Sequence, residues 1–142
     1  MRKPLQVESA RDLGPLFTDN PHRMIGQDGG YPIPLGNGES LWFFGDTLVG
    51  KRTPGESLWY PGGQRIGPGD MSGKHGIDRM LTNTGLILRD KTGREGCKNF
   101  EFLLDENGEL LHLVPLLPDE DPDRRRIWCG HGCLLGDDVY LF

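Results

Sequence analysis

The stretch GQDGGYPIPLGNGESLWFFGDT, residues 26–47, decides the fold. It holds six glycines, two prolines, four aromatics and two aspartates. Two apolar arms, 29–35 and 40–46, flank the polar run Gly36-Asn37-Gly38-Glu39, the pattern of a β-hairpin. If Leu35 faces Ser40, then Ile33 opposes Trp42, Tyr31 opposes Phe44 and Gly29 opposes Asp46. These are aromatic and β-branched cross-strand pairs of the stabilising kind. The alternate pairs, Pro34 with Leu41 and Pro32 with Phe43, make the second face apolar too, so both faces need cover. A two-residue Asn37-Gly38 turn would place both prolines where a ladder donor is required. A four-residue loop, Gly36–Glu39, turns their nitrogens outward and leaves 29–35 with a free edge.

The same pairing sets Asp46 against Gly29, beside Asp28, with backbones about 5 Å apart. Two carboxylates so close can divide general acid–base work on a glycosidic bond. Gly29 and Gly30 leave room for a ligand against the backbone. Asp46, in Gly45-Asp46-Thr47, equally suits a turn held by its own side chain.

Working outward, residues 1–25 read as an approach segment with little periodicity. Residues 50–79 read as a wide Gly- and Pro-rich loop, and 82–90 as a strand ended by the Lys91-Thr92-Gly93 turn. Asn107-Gly108 marks a hairpin inside NFEFLLDENGELLHLVPLL. The final run, IWCGHGCLLGDDVYLF (127–142), reads as a hairpin turning at Gly136-Asp137. Its GHGCLLGDDVYLF resembles GYPIPLGNGESLWFF in arm, turn and aromatic return, with Leu35-Gly36 and Leu135-Gly136 one hundred positions apart. Two such hairpins with strands between them are expected of a repeated four-stranded blade. The chain stops in what reads as mid-strand, and is expected to be the front of a longer protein or a subunit completed by another chain.

Composition excludes several classes. With 22 glycines and 11 prolines in 142 residues and 35% hydrophobic content, a helical bundle is excluded and an all-β fold expected. The net charge of −5 offers no field for nucleic acid, and DRRR at 123–126 is a solvated loop beside acidic residues. No apolar leader opens the chain, and no run approaches the ~18 apolar residues of a membrane span. Three cysteines, an odd number, favour free thiols in a reducing compartment, hence the cytoplasm.

Other candidates are weaker. Cys129, His131 and Cys133 alternate along a strand, which spreads the two cysteines about 13 Å apart, too far for one zinc ion. They are expected to pack, with His131 free to donate a hydrogen bond in a pocket; no metal or cofactor is expected. GPGDMSGKH (67–75) fails as a phosphate loop on spacing and on the residue after Lys74. Trp59 and Tyr60, in a loop, and Trp128, at the head of its strand as Asp28 is, can serve as stacking platforms for sugar rings.

The runs QDGGYPIPLGNGESLWFFGDT, TNTGLIL and IWCGHGCLLGDDVYLF resemble the five-bladed β-propeller glycoside hydrolases and their relatives, over residues 24 to 142. That resemblance implies antiparallel blades around a channel and inverting hydrolysis of a glycan. It implies an aspartate of the first blade as general base, a second aspartate that tunes it, and a glutamate of a later blade as general acid. By position Asp28 matches the base, and Asp46 lies in the matching Gly45-Asp46-Thr47 motif, which the resemblance leaves either structural or part of the pocket. Relatives often carry an acidic residue where this chain has His131. At about 40–45 residues for a compact blade, the chain supplies one to two blades. The acid would come from blades not present, and neither Glu101 nor Glu109 stands in for it. The expected organisation is an approach segment, 1–25, and a partial propeller, 26–142, with a loop inserted at 50–79 and a second blade from about 127. The expected partner is carbohydrate, bound and hydrolysed. The alternatives are a non-catalytic carbohydrate-binding or scaffolding propeller, and an inactive fragment that self-associates through its last strand.

Overall fold

The structure, a computed structural model, describes residues 6–17, 19–51, 76–121 and 124–142. Its described residues form an all-β, antiparallel protein with nine strands. In chain order these are β1 (Met24–Gln27), β2 (Tyr31–Pro34), β3 (Ser40–Phe44), β4 (Thr47–Gly50), β5 (Ile77–Leu81), β6 (Thr84–Leu88), β7 (Phe100–Phe102), β8 (Gly132–Leu135) and β9 (Asp138–Leu141). One sheet runs β2-β3-β6-β7, a second β1-β4-β5, and β8-β9 is a separate two-stranded ribbon.

The first two sheets share one register. Gln27 faces Thr47, and four residues further on each strand Tyr31 faces Phe43. Thr47 faces Leu81, and three residues further Phe44 faces Thr84. The architecture is therefore a meander of three long arms, 24–34, 40–50 and 77–88, with β7 at its rim. Each arm is interrupted at one level: Asp28–Gly30, Gly45–Asp46 and Thr82–Asn83.

The β2–β3 hairpin forms where the pattern placed it, but one residue out of the expected register. Pro34 faces Ser40, Ile33 faces Leu41, Pro32 faces Trp42 and Tyr31 faces Phe43. The loop has three residues rather than four. Gly36 and Gly38 take φ of +81° and +91°, open to glycine at little cost, and the Leu35 N–H donates to the Glu39 carbonyl at 3.0 Å. Asn37 Oδ1 accepts the Glu39 N–H inside the turn. Leu35 and Glu39 thus close the hydrogen-bonded set, and both prolines fall on the alternate positions, nitrogens outward. The constraint that the prolines impose is met by a shorter turn. β2 has no partner on its other edge among the described residues.

Both faces of the meander are covered. Phe44, Leu86, Leu88 and Phe102 lie on one side in a buried cluster that Phe17 and Met24 complete. Phe17 meets Trp42, Phe44 and Phe100 edge-on with centroids 5.1–5.9 Å apart. Residues 1–25 therefore do more than lead in: they supply a core aromatic and the start of β1. On the other side Ile33 and Phe43 are fully buried, and β8 lies against them so closely that a Cβ on Gly132 would sit 2.4 Å from Ile33 Cδ1. Burying each of these side chains stabilises by about 1.5–3 kcal/mol.

Two other segments differ from expectation. The loop read over 50–79 ends in β5, which pairs with β4; its interior, 52–75, lies outside the described residues. Its two ends meet, with the Lys51 N–H donating to the Gly76 carbonyl at 2.6 Å. Thr47-Leu48-Val49-Gly50 is a strand buried throughout, although it is too short to show a period. At Asn107-Gly108 the turn is present, closed by the Asp105 N–H on the Glu109 carbonyl at 2.9 Å. Only Leu104 and Leu110 bridge beyond it, because the chain after Leu110 bonds elsewhere and carries Pro115 and Pro118, which lack donors. The last hairpin turns at Gly136-Asp137, with Leu135 facing Asp138 and φ +65° at Gly136.

Candidate functional site

The interruption in the first two arms brings Asp28 and Asp46 together. The Asp28 N–H donates to the Asp46 carbonyl at 2.8 Å, and the Gly45 N–H donates to the Asp28 carbonyl at 2.8 Å. One residue thus answers two on the facing arm, a bulge-like break that re-aims side chains. With the register shifted, Asp46 lies across from Asp28 itself rather than from Gly29.

The two carboxylates do different things. Asp28 is exposed, and its Oδ1 accepts the N–H of Gly29 at 2.7 Å. Gly29 and Gly30 have φ of +69° and +154°, a backbone path closed to most side chains. Asp46 Oδ1 accepts the indole N–H of Trp128 at 3.2 Å. That indole lies over Gly45, where a Cβ would stand 3.6 Å from Trp128 Cδ1. The result is an open cleft of about 260 Å³ lined by Asp28, Gly29, Tyr31, Gly45, Trp128, Cys129 and Gly130. Asp46 sits behind its wall as the acceptor that holds Trp128.

Of the residues singled out from sequence, Asp28 and Trp128 line this cleft and Asp46 supports it. His131 does not line it. It is exposed, and its Nδ1 accepts the N–H of Gly132 at 2.6 Å. Trp59 and Tyr60 lie outside the described residues. Glu101 pairs with Arg89 at 3.0 Å and Glu109 with Arg79 at 2.8 Å, both on the surface. Cys133, expected to pack, is exposed, because Gly132 faces the meander and the next residue on β8 must face away. Burial pushes the Cys129 thiol up from its ordinary value. Among the described residues no three His, Cys, Asp or Glu side chains gather to hold a metal ion.

Two residues of the site escaped the pattern. Tyr31 looked like a cross-strand partner only; it stacks on Phe43 with centroids 5.5 Å apart and remains 40% exposed at the cleft. Asn83 sat unnoticed between two threonines in the strand run TNTGLIL. It is 1% exposed. Its Oδ1 accepts the Val114 N–H at 2.8 Å, and its Nδ2 donates to the Val114 and Ile127 carbonyls, each at 3.0 Å. A buried polar residue in a strand flanked by turn-formers is the signal that marks it. Beside it Thr47 Oγ1 and Thr84 Oγ1 share a hydrogen at 2.7 Å, and Gln27 Nε2 donates to Thr84 Oγ1 at 3.1 Å. The level at which the arms break is thus stitched by side chains. No family model, curated protein or solved structure matches this chain.

Proposed function

We propose that this chain forms the opening part of a β-propeller carbohydrate site, with one sugar ring held in the Asp28–Tyr31–Trp128 cleft. The observation that carries the reading is the lining itself: an exposed indole, an exposed phenol and a carboxylate border one open cleft with bare glycine backbone between them. A pyranose presents C–H faces that suit the aromatic rings and hydroxyls that suit Asp28 Oδ2. The propeller reading is supported by the meander β2-β3-β6-β7, four antiparallel strands in chain order, and by the next hairpin seated against its flat face.

Within that reading Asp28 is the group placed to take a proton from water, and Asp46 acts at one remove by holding Trp128. Inverting hydrolysis needs a second carboxylic acid about 6.5–9.5 Å from the base. The cleft lining contains no other carboxylate among the described residues, so the lining by itself accounts for binding, and cleavage requires an acid from elsewhere. Calorimetric titration with a panel of monosaccharides and short oligosaccharides tests this. Wild type binds at least one; Trp128→Ala weakens binding about tenfold or more, the scale of one lost aromatic contact of about 1.4 kcal/mol. Asp28→Asn keeps binding within a few-fold and abolishes any turnover. A panel without a binder, or affinity unchanged in Trp128→Ala, refutes the proposal.

A second reading has its own observation. β9 pairs with β8 alone among the described residues, and Leu135, Tyr140 and Phe142 are 48–73% exposed beside that open edge. Such an edge invites strand addition; light scattering on the purified chain distinguishes an assembly from a monomer.

A further inference from the structure

Between Leu110 and Gly132 the described chain forms no strand, yet it delivers Trp128 to the cleft. Its last residues are tied to the end of the chain, with the Gly130 N–H donating to the Phe142 carbonyl at 2.6 Å and the Phe142 N–H to the His131 carbonyl at 2.9 Å, and the stretch before them leans on the meander. Asn83 supplies hydrogen bonds to two points of that stretch, at Val114 and at Ile127, thirteen residues apart. Ile127 directly precedes Trp128. The Asn83 side chain is enclosed at 1% exposure, and an amide is the one uncharged side chain with both a twin donor and an acceptor to offer here. Thr82 next to it meets His112 Nδ1 at 3.2 Å, and Leu113 packs toward Gly85. These fix the start of the connection; at its far end Asn83 holds the Ile127 carbonyl, the Trp128 indole meets Asp46, and Gly130 and His131 bond to Phe142.

We infer that Asn83 is a positioning residue of the cleft: through the Ile127 carbonyl it fixes the chain on the N-terminal side of Trp128, and so whether the indole meets both Asp46 and a ligand. Asn83 touches no ligand itself. Its amide fixes the backbone one residue before Trp128, and the indole N–H then finds Asp46 Oδ1 without a search. The importance of this for sugar binding rests on the function proposed above; the mechanical link from Asn83 to Trp128 does not.

The experiment reads the indole directly. In the full chain labelled with 15N, the Trp128 indole N–H is assigned by its loss in Trp128→Phe, and its exchange with solvent is followed in wild type, Asn83→Ala and Leu110→Ala. Leu110 is buried in the cluster beneath the other face, so its truncation lowers stability without touching the link. Asn83→Ala exchanges the Trp128 indole proton about tenfold faster than wild type or more, whereas Leu110→Ala leaves it unchanged under conditions where both variants are folded. Asn83→Asp provides a version that keeps the shape. Its exchange is read as a ratio to wild type at the same pH: protonated at low pH, its carboxylic acid donates again to one carbonyl and the ratio falls towards one; ionised at neutral pH, it faces two carbonyl oxygens and the ratio rises. An indole equally protected in Asn83→Ala, or equally loosened in Leu110→Ala, overturns the inference. If Asn83→Ala does not fold, the Asn83→Asp to wild-type ratio across pH decides, and a ratio that does not change with pH counts against. A sugar that binds nowhere defeats the proposed function while leaving this readout intact.

Discussion

Replacing Gly132 by alanine tests how the second hairpin is seated. A Cβ at that position would lie 2.4 Å from Ile33 Cδ1, 2.5 Å from the Tyr140 carbonyl oxygen and 3.0 Å from Leu141 Cδ2. Carbon atoms in contact prefer about 3.5–4.0 Å, so β8 must lift by about 1 Å or Ile33 must turn. Ile33 is fully buried against Phe43 and has little freedom to turn, and the carbonyl is backbone. Lifting the ribbon re-exposes part of Ile33, whose full burial stabilises by about 1.5–3 kcal/mol, and overpacking of this kind costs about 1–3 kcal/mol. We expect Gly132→Ala to lose about 2–3 kcal/mol, which for a chain of this size lowers Tm by about 6–10 °C. Urea unfolding followed by tryptophan fluorescence measures it, with an unchanged slope marking a pure stability effect. Ile33→Val removes the offending methyl, so the double variant should recover about 0.5–1 kcal/mol relative to additivity. A loss under about 0.5 kcal/mol, or strict additivity with Ile33→Val, would refute the docking described.

The remaining predictions concern titration and accessibility. Partial burial first, then the Arg79 and Arg126 cations, hold His112 below the ordinary imidazole value. The unfolded chain therefore binds the proton more readily than the fold, and stability is lost as pH falls below about 6.5. Thermal melts from pH 7.5 to 5.5 should show a decline that His112→Gln lessens; an identical decline in the variant would sink the assignment. Burial and then Asp90 raise the Cys97 thiol, burial raises Cys129, and Cys133 is exposed. Iodoacetamide followed by mass spectrometry should label Cys133 first, and early labelling of Cys97 would contradict the fold.

How far the fold could be read depended on how local each signal was. The two hairpins were legible because Gly36-Asn37-Gly38 and Gly136-Asp137 carry their turn chemistry in adjacent residues. The meeting of Asp28 with Asp46 followed from the hairpin alone. The register of that hairpin was not legible, because two positive φ angles at Gly36 and Gly38 shorten the loop by one residue and composition does not say so. β4 and β1 were missed because four residues cannot show a period of two against the background of their neighbours. Phe17 and Asn83 were missed for a different reason. Each acts across a large separation in sequence, Phe17 on Phe100 and Asn83 on Ile127, and only tertiary packing makes such pairings visible.

The closure at Gly50 and Gly76 has a consequence for how the gene can change. A side chain at Gly50 would collide with the Gly76 carbonyl at 1.7 Å, so the polypeptide departs from the meander and rejoins it through a doorway one peptide wide. Whatever passes through that doorway can lengthen or shorten with a closure entropy that grows only logarithmically, while the two glycines of the frame must stay. A change of length between Lys51 and Gly76 thus leaves the joining point of β4 and β5 where it is.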